Sequence, residues 1–188
     1  PCKYLEKQDR IRIFRQIKKI RVIQMFKDRR LKKVLQFATD AHQGQKRKYS
    51  DEDYISHPIE VAKMVNYRSD NNIEMTAAAL LHDVLEDTKT THSELRLFLH
   101  NVFSVEAAEK VLSLVVELTD VYTHKDFPHM NRKSRKQFEA LRLFYASNQA
   151  KEIKLADIEH NSESIEKHDP KFAKVFLEEK KQLLEYLS

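Results

Sequence analysis

The chain has one glycine and four prolines in 188 residues, little material for tight turns or β-hairpins. A sequence so poor in both is most readily helical. It has a single cysteine, Cys2, so no internal disulfide can form, which suits a reducing compartment. No apolar run approaches the roughly 18–20 residues that span a bilayer. The charged N-terminus also lacks the apolar stretch of a signal peptide. Together these absences lead to the expectation of a soluble, cytoplasmic protein with no membrane partner.

What is present agrees with helices. Apolar residues make up 41% of the chain and charged residues 34%, which suits one domain of amphipathic helices around a real core. The expected fold is all-α, a single compact multi-helix bundle. The net charge of +5 is uneven: residues 1–33 hold thirteen Lys/Arg against three Asp/Glu. The basic excess is therefore an N-terminal feature. Residues 1–30 are taken as a basic helical extension, with Ile13, Ile17 and Ile20 at helical spacing, and residues 31–188 as the main domain. The plain reading of the extension is a solvated helix face. The sharper ones are an anionic partner, such as RNA or a phosphorylated ligand, or a homo-oligomer contact.

Local signals divide the rest. A helix over 31–42 ends just before Gly44. Residues 45–56 read as a loop. Pro58 is placed at the start of a helix, which leaves His57 at its entrance outside helical geometry. Residues 73–88 read as one continuous apolar helix. Thr91 with Glu94 matches a capping box, and Ser104 caps the next helix. Residues 119–131 form a polar connection. Helices follow over about 132–147, 150–165 and, after the Asp169-Pro170 start signal, 170–187.

The stretch "LLHDVLEDT", residues 80–88, sets His82, Asp83, Glu86 and Asp87 among leucines and a valine. On a helix Glu86 lies one turn from His82 and Asp87 one turn from Asp83. Uncompensated charges buried there cost several kcal/mol each, roughly. No Arg or Lys lies within the helix, so a divalent metal ion is the strongest compensating group. A His-Asp pair alone is usually a surface pair or a satisfied core histidine. Here His57 precedes it at a helix entrance, and "KLADIEHN", residues 154–161, supplies Asp157 with Asn161 one turn later. His57, His82, Asp83 and Asp157 would make a site of two imidazoles and two carboxylates, with room left for water.

The segments "AHQGQKRK", "YISHPIEVA", "AALLHDVLEDT", "ELTD" and "KLADIEHN" follow one another in an order that resembles the HD-domain phosphohydrolases. They are closest to the hydrolase domain of RelA/SpoT homologues and the small alarmone hydrolases. "HD" alone is weak, whereas "YISHP" before "LLHDVLEDT" and "KLAD..HN" is specific. The resemblance implies that His57, His82, Asp83 and Asp157 bind one ion, usually manganese. It implies that Glu86 and Asp87 position and activate the attacking water. Arg47, Lys48 and Asn161 match residues that contact the nucleotide.

The implied reaction removes the 3′-pyrophosphate of (p)ppGpp, a guanosine nucleotide, and yields GDP or GTP. Two other readings stand beside it. One is an HD phosphohydrolase acting on the 2′-phosphate of NADPH or on another phosphorylated nucleotide. The other is a non-catalytic nucleotide-binding module, against which Glu86 and Asp87 argue, since a pure binder needs no water-activating pair. The family's usual "SGEPY" turn is "SDEDY" here, residues 50–54, which bears on base specificity and phosphate number. Lys125, Arg132, Arg135 and Lys136 are placed either at distal phosphates or on a solvated face. His160 is a candidate for the pocket lining.

Overall fold

The computed structural model describes residues 25–187. The basic extension assigned to residues 1–30 therefore lies, up to residue 24, outside the described residues. Among the described residues nine α-helices follow in order: α1 Arg29–Ala41, α2 Ser56–Arg68, α3 Ile73–Leu81, α4 Val84–Asp87, α5 His92–His100, α6 Val105–Leu118, α7 Arg132–Phe144, α8 Asn148–His168 and α9 Pro170–Leu187. The only pairing of β type among the described residues is a single antiparallel bridge, Lys46 to Asp53. The all-α expectation holds. None of the described helices is long and apolar enough to cross a membrane.

α3 is the hub. All seven residues from Met75 to Leu81 are buried, so the helix is apolar on every side and must be enclosed. It packs against α1, α2, α6 and α8. Leu31, Val34 and Ala38 face it from α1, and Val111, Leu114, Val115 and Leu118 are buried on α6. α8 and α9 pack together and α9 also packs on α7, enclosing a smaller apolar cluster of Ala140, Leu143, Ile158 and Leu183.

Caps fall where the sequence placed them. Thr91 and Glu94 form both halves of a capping box, and Ser104 accepts from Ala107 N. Asp169 accepts from Phe172 N at 3.0 Å ahead of Pro170. Gly44 has φ +80° just past α1, the left-handed conformation that glycine adopts without strain. With no second glycine, the α2–α3 turn puts Asp70 and Asn71 at φ 54° and 66°, the residue types that best tolerate it.

Three expectations are corrected. Residues 73–88 are not one helix: α3 stops at Leu81, and the chain turns through His82 and Asp83 before the short α4. Asp83 sits at φ −97°, ψ −3°. This break presents His82 and Asp83 toward the same side, which a straight helix does not do for neighbours about 100° apart. His57 lies inside the first turn of α2, with its N–H donating to Tyr54 O at 3.0 Å. Pro58 is tolerated there because a first turn leaves its N–H groups without intrahelical partners. Residues 45–56 form the expected loop up to the start of α2 at Ser56, and backbone bonds fix its course. Arg47 N donates to Glu52 O and Tyr54 N to Gln45 O, both at 3.0 Å. Finally, α7 ends at Phe144 and α8 begins at Asn148, because Ser147 caps α8 by accepting from Ala150 N.

Candidate metal centre

Three elements deliver the cluster. The first turn of α2 brings His57, the α3–α4 break brings His82 and Asp83, and the middle of α8 brings Asp157. His57 and His82 are 1% and 2% exposed and Asp157 6%. Ligand atoms of His57, His82 and Asp83 lie within 4.8 Å of one another. Asp83 Oδ2 is 3.0 Å from His82 Nε2 and 3.7 Å from His57 Nε2. Asp157 Oδ1 is 3.2 Å from His57 Nε2 and 3.8 Å from His82 Nε2. The four residues predicted as ligands thus converge on one point.

The donor set fits a cation. His82 Nδ1 meets Ala79 O at 2.8 Å. A carbonyl only accepts, so Nδ1 carries the proton and the neutral ring leaves Nε2 as a lone pair. That Nε2 is buried without a hydrogen-bond partner, although Asp83 Oδ2 is only 3.0 Å away. Oxygen and nitrogen lie beside each other, as two ligands of one ion do, and are not aligned for a hydrogen bond. Two carboxylates crowded on two imidazoles also repel one another, and a divalent ion relieves that repulsion.

With no cation bound, the two carboxylates hold a proton on His82 in its place. Burial alone would depress His82, but Asp83 beside it holds it up at about 9. Asp83 is lowered despite burial, chiefly by His82. Without the cation, the Asp83 charge therefore favours a protonated His82. His57 is lowered, first by burial. Asp157 stays far below the usual carboxylate range against the effect of burial, because Lys154 adjoins it.

Residues not singled out from the sequence complete the centre. Lys154 Nζ is 3.0 Å from Asp157 Oδ2, so a lysine from α8 does part of the compensation that α3 lacks. It sits three residues before Asp157, on the same helix face, a spacing that was available as a signal. Tyr54 OH donates to Asp83 Oδ2 at 2.6 Å and lies 3.3 Å from Asp87 Oδ2. Burial and Asp83 push the Tyr54 phenol up, so it stays a donor. Gln45 takes the His42 Nδ1 proton at 2.8 Å and donates to Asp87 O at 2.7 Å, which ties the loop to α4. His160, the candidate for the pocket lining, faces the metal ligand: its Nδ1 is 2.7 Å from His57 Nδ1.

Glu86 and Asp87 stand at the mouth, exposed on one side to a cleft of about 910 Å³. Glu86 Oε2 accepts from Asp120 N at 3.1 Å. Crowding by protein and the Asp120 charge push Glu86 up to about 7. Asp87 is also raised, by burial and then by Asp83.

Among the residues expected at the nucleotide, Arg47 and Asn161 are brought to the centre. Arg47 Nη2 donates to Asn161 Oδ1 at 3.2 Å, and Asn161 Nδ2 donates to Asp157 Oδ1 at 2.7 Å. Lys48 and Arg132 instead flank the Phe172 ring, at 5.3 and 6.0 Å from its centroid, and Arg132 pairs with Glu179. Arg135 donates to Met130 O. The structure does not bring these three into contact with the His–Asp cluster.

A family model described as the HD domain matches residues 34–184. The chain belongs to the HD-domain family. Among curated relatives, guanosine-3′,5′-bis(diphosphate) 3′-pyrophosphohydrolase MESH1 of Xenopus tropicalis is 35% identical over 136 residues, covering 71% of this chain and 68% of its own. The human protein of the same name is 36% identical over 136 residues with the same two coverages. The bifunctional (p)ppGpp synthase/hydrolase SpoT of Escherichia coli is 40% identical over 83 residues, 44% of this chain and 11% of its own. A solved structure described as a metazoan orthologue of SpoT that hydrolyses ppGpp aligns at TM-score 0.70 and 25% identity, covering 85% of this chain and 86% of that one. This HD-domain chain is accordingly a metal-dependent hydrolase.

The same HD domain buries charge behind its centre. Lys136, Lys154 and Lys180 line a small cavity with Asp120. Lys136 pairs with Asp120 and Lys154 with Asp157, while Lys180 has no such pair among the described residues. Burial and the neighbouring Lys154 lower Lys180 from the ordinary 10.5 to about 8. Between those values the unfolded chain holds a proton that the folded chain has released, so stability rises with pH across the window. Lys180→Met should therefore raise Tm by about 2–4 °C at pH 7, and the gain should vanish as pH climbs from 8 past 10. Denaturation at both pH values checks it.

Proposed function

We propose that this protein hydrolyses guanosine 3′,5′-bis(diphosphate) at the 3′ position, releasing pyrophosphate and GDP, with manganese as the ion. The domain carrying the activity is residues 31–188. The observation that supports the reading most is the grouping of His57, His82 and Asp83, with Asp157 against both histidines, beside the acidic pair Glu86 and Asp87, in a chain whose relatives carry that activity in their names.

His57, His82, Asp83 and Asp157 would hold the ion. When bound it supplies Lewis acidity, withdrawing charge from a phosphoryl group and making water more acidic. Glu86 takes the proton of the attacking water; at about 7 its pKa suits a general base near neutral pH. Asp87, tethered to Tyr54 and Gln45, orients that water. The attack falls on the phosphorus bonded to the 3′ oxygen and breaks that bond. Arg47, with Asn161, holds the nucleotide, and Lys48, Arg132 and Arg135 serve the outer phosphates. The cleft outside Glu86 is acidic, with Asp40, Asp87 and Glu94 on its walls, so polyphosphate approaches from the Arg47 side.

The test is turnover of ppGpp, pppGpp, NADPH and deoxynucleotides with Mn²⁺, with products separated and identified. Pyrophosphate released from ppGpp, and lost on chelation, is the expected outcome. Turnover of NADPH or another nucleotide in its place would overturn the substrate assignment and leave the hydrolase chemistry.

A further inference from the structure

The two histidines of the centre are held differently. His82 Nδ1 faces a backbone carbonyl, which fixes its proton there permanently. His57 Nδ1 faces only another ring nitrogen, His160 Nδ1, at 2.7 Å. One proton lies between these two nitrogens, and either ring can own it. If His160 owns it, His57 carries its proton on Nε2, aimed among Asp157 and Asp83, and offers no lone pair to a cation. If His57 owns it, His57 Nε2 is a lone pair, and His160 keeps its own proton on Nε2.

We infer that His160 is a positioning residue that accepts the His57 Nδ1 proton and so makes His57 a ligand. The inference rests on the metal-site reading above. α8 thereby supplies one ligand, Asp157, and three residues on, the group that orients another. A buried His57 has no water to replace this acceptor, since it is 1% exposed. Losing the acceptor leaves an N–H unpaired in the interior and favours the tautomer that cannot bind.

The experiment titrates Mn²⁺ into the full chain by calorimetry and follows Tm with and without the ion. His160→Leu should weaken Mn²⁺ binding about 10–100-fold while leaving the ion-free Tm near wild type. His160→Asn puts an amide oxygen, a hydrogen-bond acceptor, where Nδ1 stands, and should restore affinity to within about threefold, well inside that loss. A leucine variant that binds like wild type overturns the inference. So does an asparagine variant as weak as the leucine one. Wild-type protein that takes up no Mn²⁺ would bring down the metal-site reading itself, a result distinct from both.

Discussion

Asp83→Asn should abolish cation binding and turnover together while leaving the fold intact. Asp83 Oδ2 is the atom nearest His82 Nε2, at 3.0 Å, and it also takes the Tyr54 proton at 2.6 Å. An asparagine with its oxygen in the Oδ2 position keeps the Tyr54 bond and leaves its N–H₂ in the Oδ1 position. The amide oxygen lacks the negative charge that holds a divalent cation, and His82 Nε2 stays without a hydrogen-bond partner. The substitution also removes the repulsion between Asp83 and Asp157. The ion-free variant also loses the attraction between Asp83 and His82, which outweighs that repulsion, so it should melt at or below the wild-type temperature. Metal catalysis is worth several kcal/mol of barrier, so the rate should fall by at least about 10³-fold at 1.36 kcal/mol per decade. Metal content after dialysis, Tm with and without Mn²⁺, and turnover are the measurements. Mn²⁺ raising the Tm of the variant as it does that of wild type would remove Asp83 from the ligand set.

The His–Asp cluster was legible because it obeys local rules. "HD" lies inside an apolar run, and "KLAD" lies on a helix whose Asp157 faces inward, so each pattern announces a buried charge in need of compensation. The helix starts were legible for the same reason, since Thr91, Ser104 and Asp169 satisfy N–H groups within three residues. What was not legible is decided across long separations. The break after Leu81 lacks a glycine or proline signal; it exists because His82 and Asp83 must face partners on α2 and α8. The Tyr54–Asp83 bond joins residues 29 apart and the His57–His160 contact residues 103 apart. Lys48 and Arg132 settle on Phe172 by a tertiary choice that charge alone does not encode. Lys154 was within reach, because the i, i+3 spacing to Asp157 is a local rule, although it lies on a different helix from the His82 and Asp83 charges.

Glu86→Gln separates holding the cation from using it. The amide keeps the size of the side chain and can still accept from Asp120 N, as Glu86 does. It does not remove a ligand, so Mn²⁺ affinity should stay within about twofold, against the 10–100-fold cost of disturbing a ligand's support. It does remove a group that accepts a proton, and general-base catalysis is worth about 10²–10⁴-fold, a loss expected in kcat with KM little changed. The pH profile carries the sharper signature. Glu86 works deprotonated, so the wild-type rate should rise with pH and level off above its pKa. That value is about 7 in the ion-free protein, set by crowding and by Asp120, and a bound cation draws it lower. In Glu86→Gln this acid limb should disappear from the residual rate. Asp120→Asn should move the limb of the otherwise intact enzyme to lower pH, because the carboxylate that opposes Glu86 ionisation is gone. An unchanged acid limb in Glu86→Gln, with kcat preserved, would transfer the role of base to Asp87, whose carboxylate already lies 3.3 Å from the Tyr54 hydroxyl.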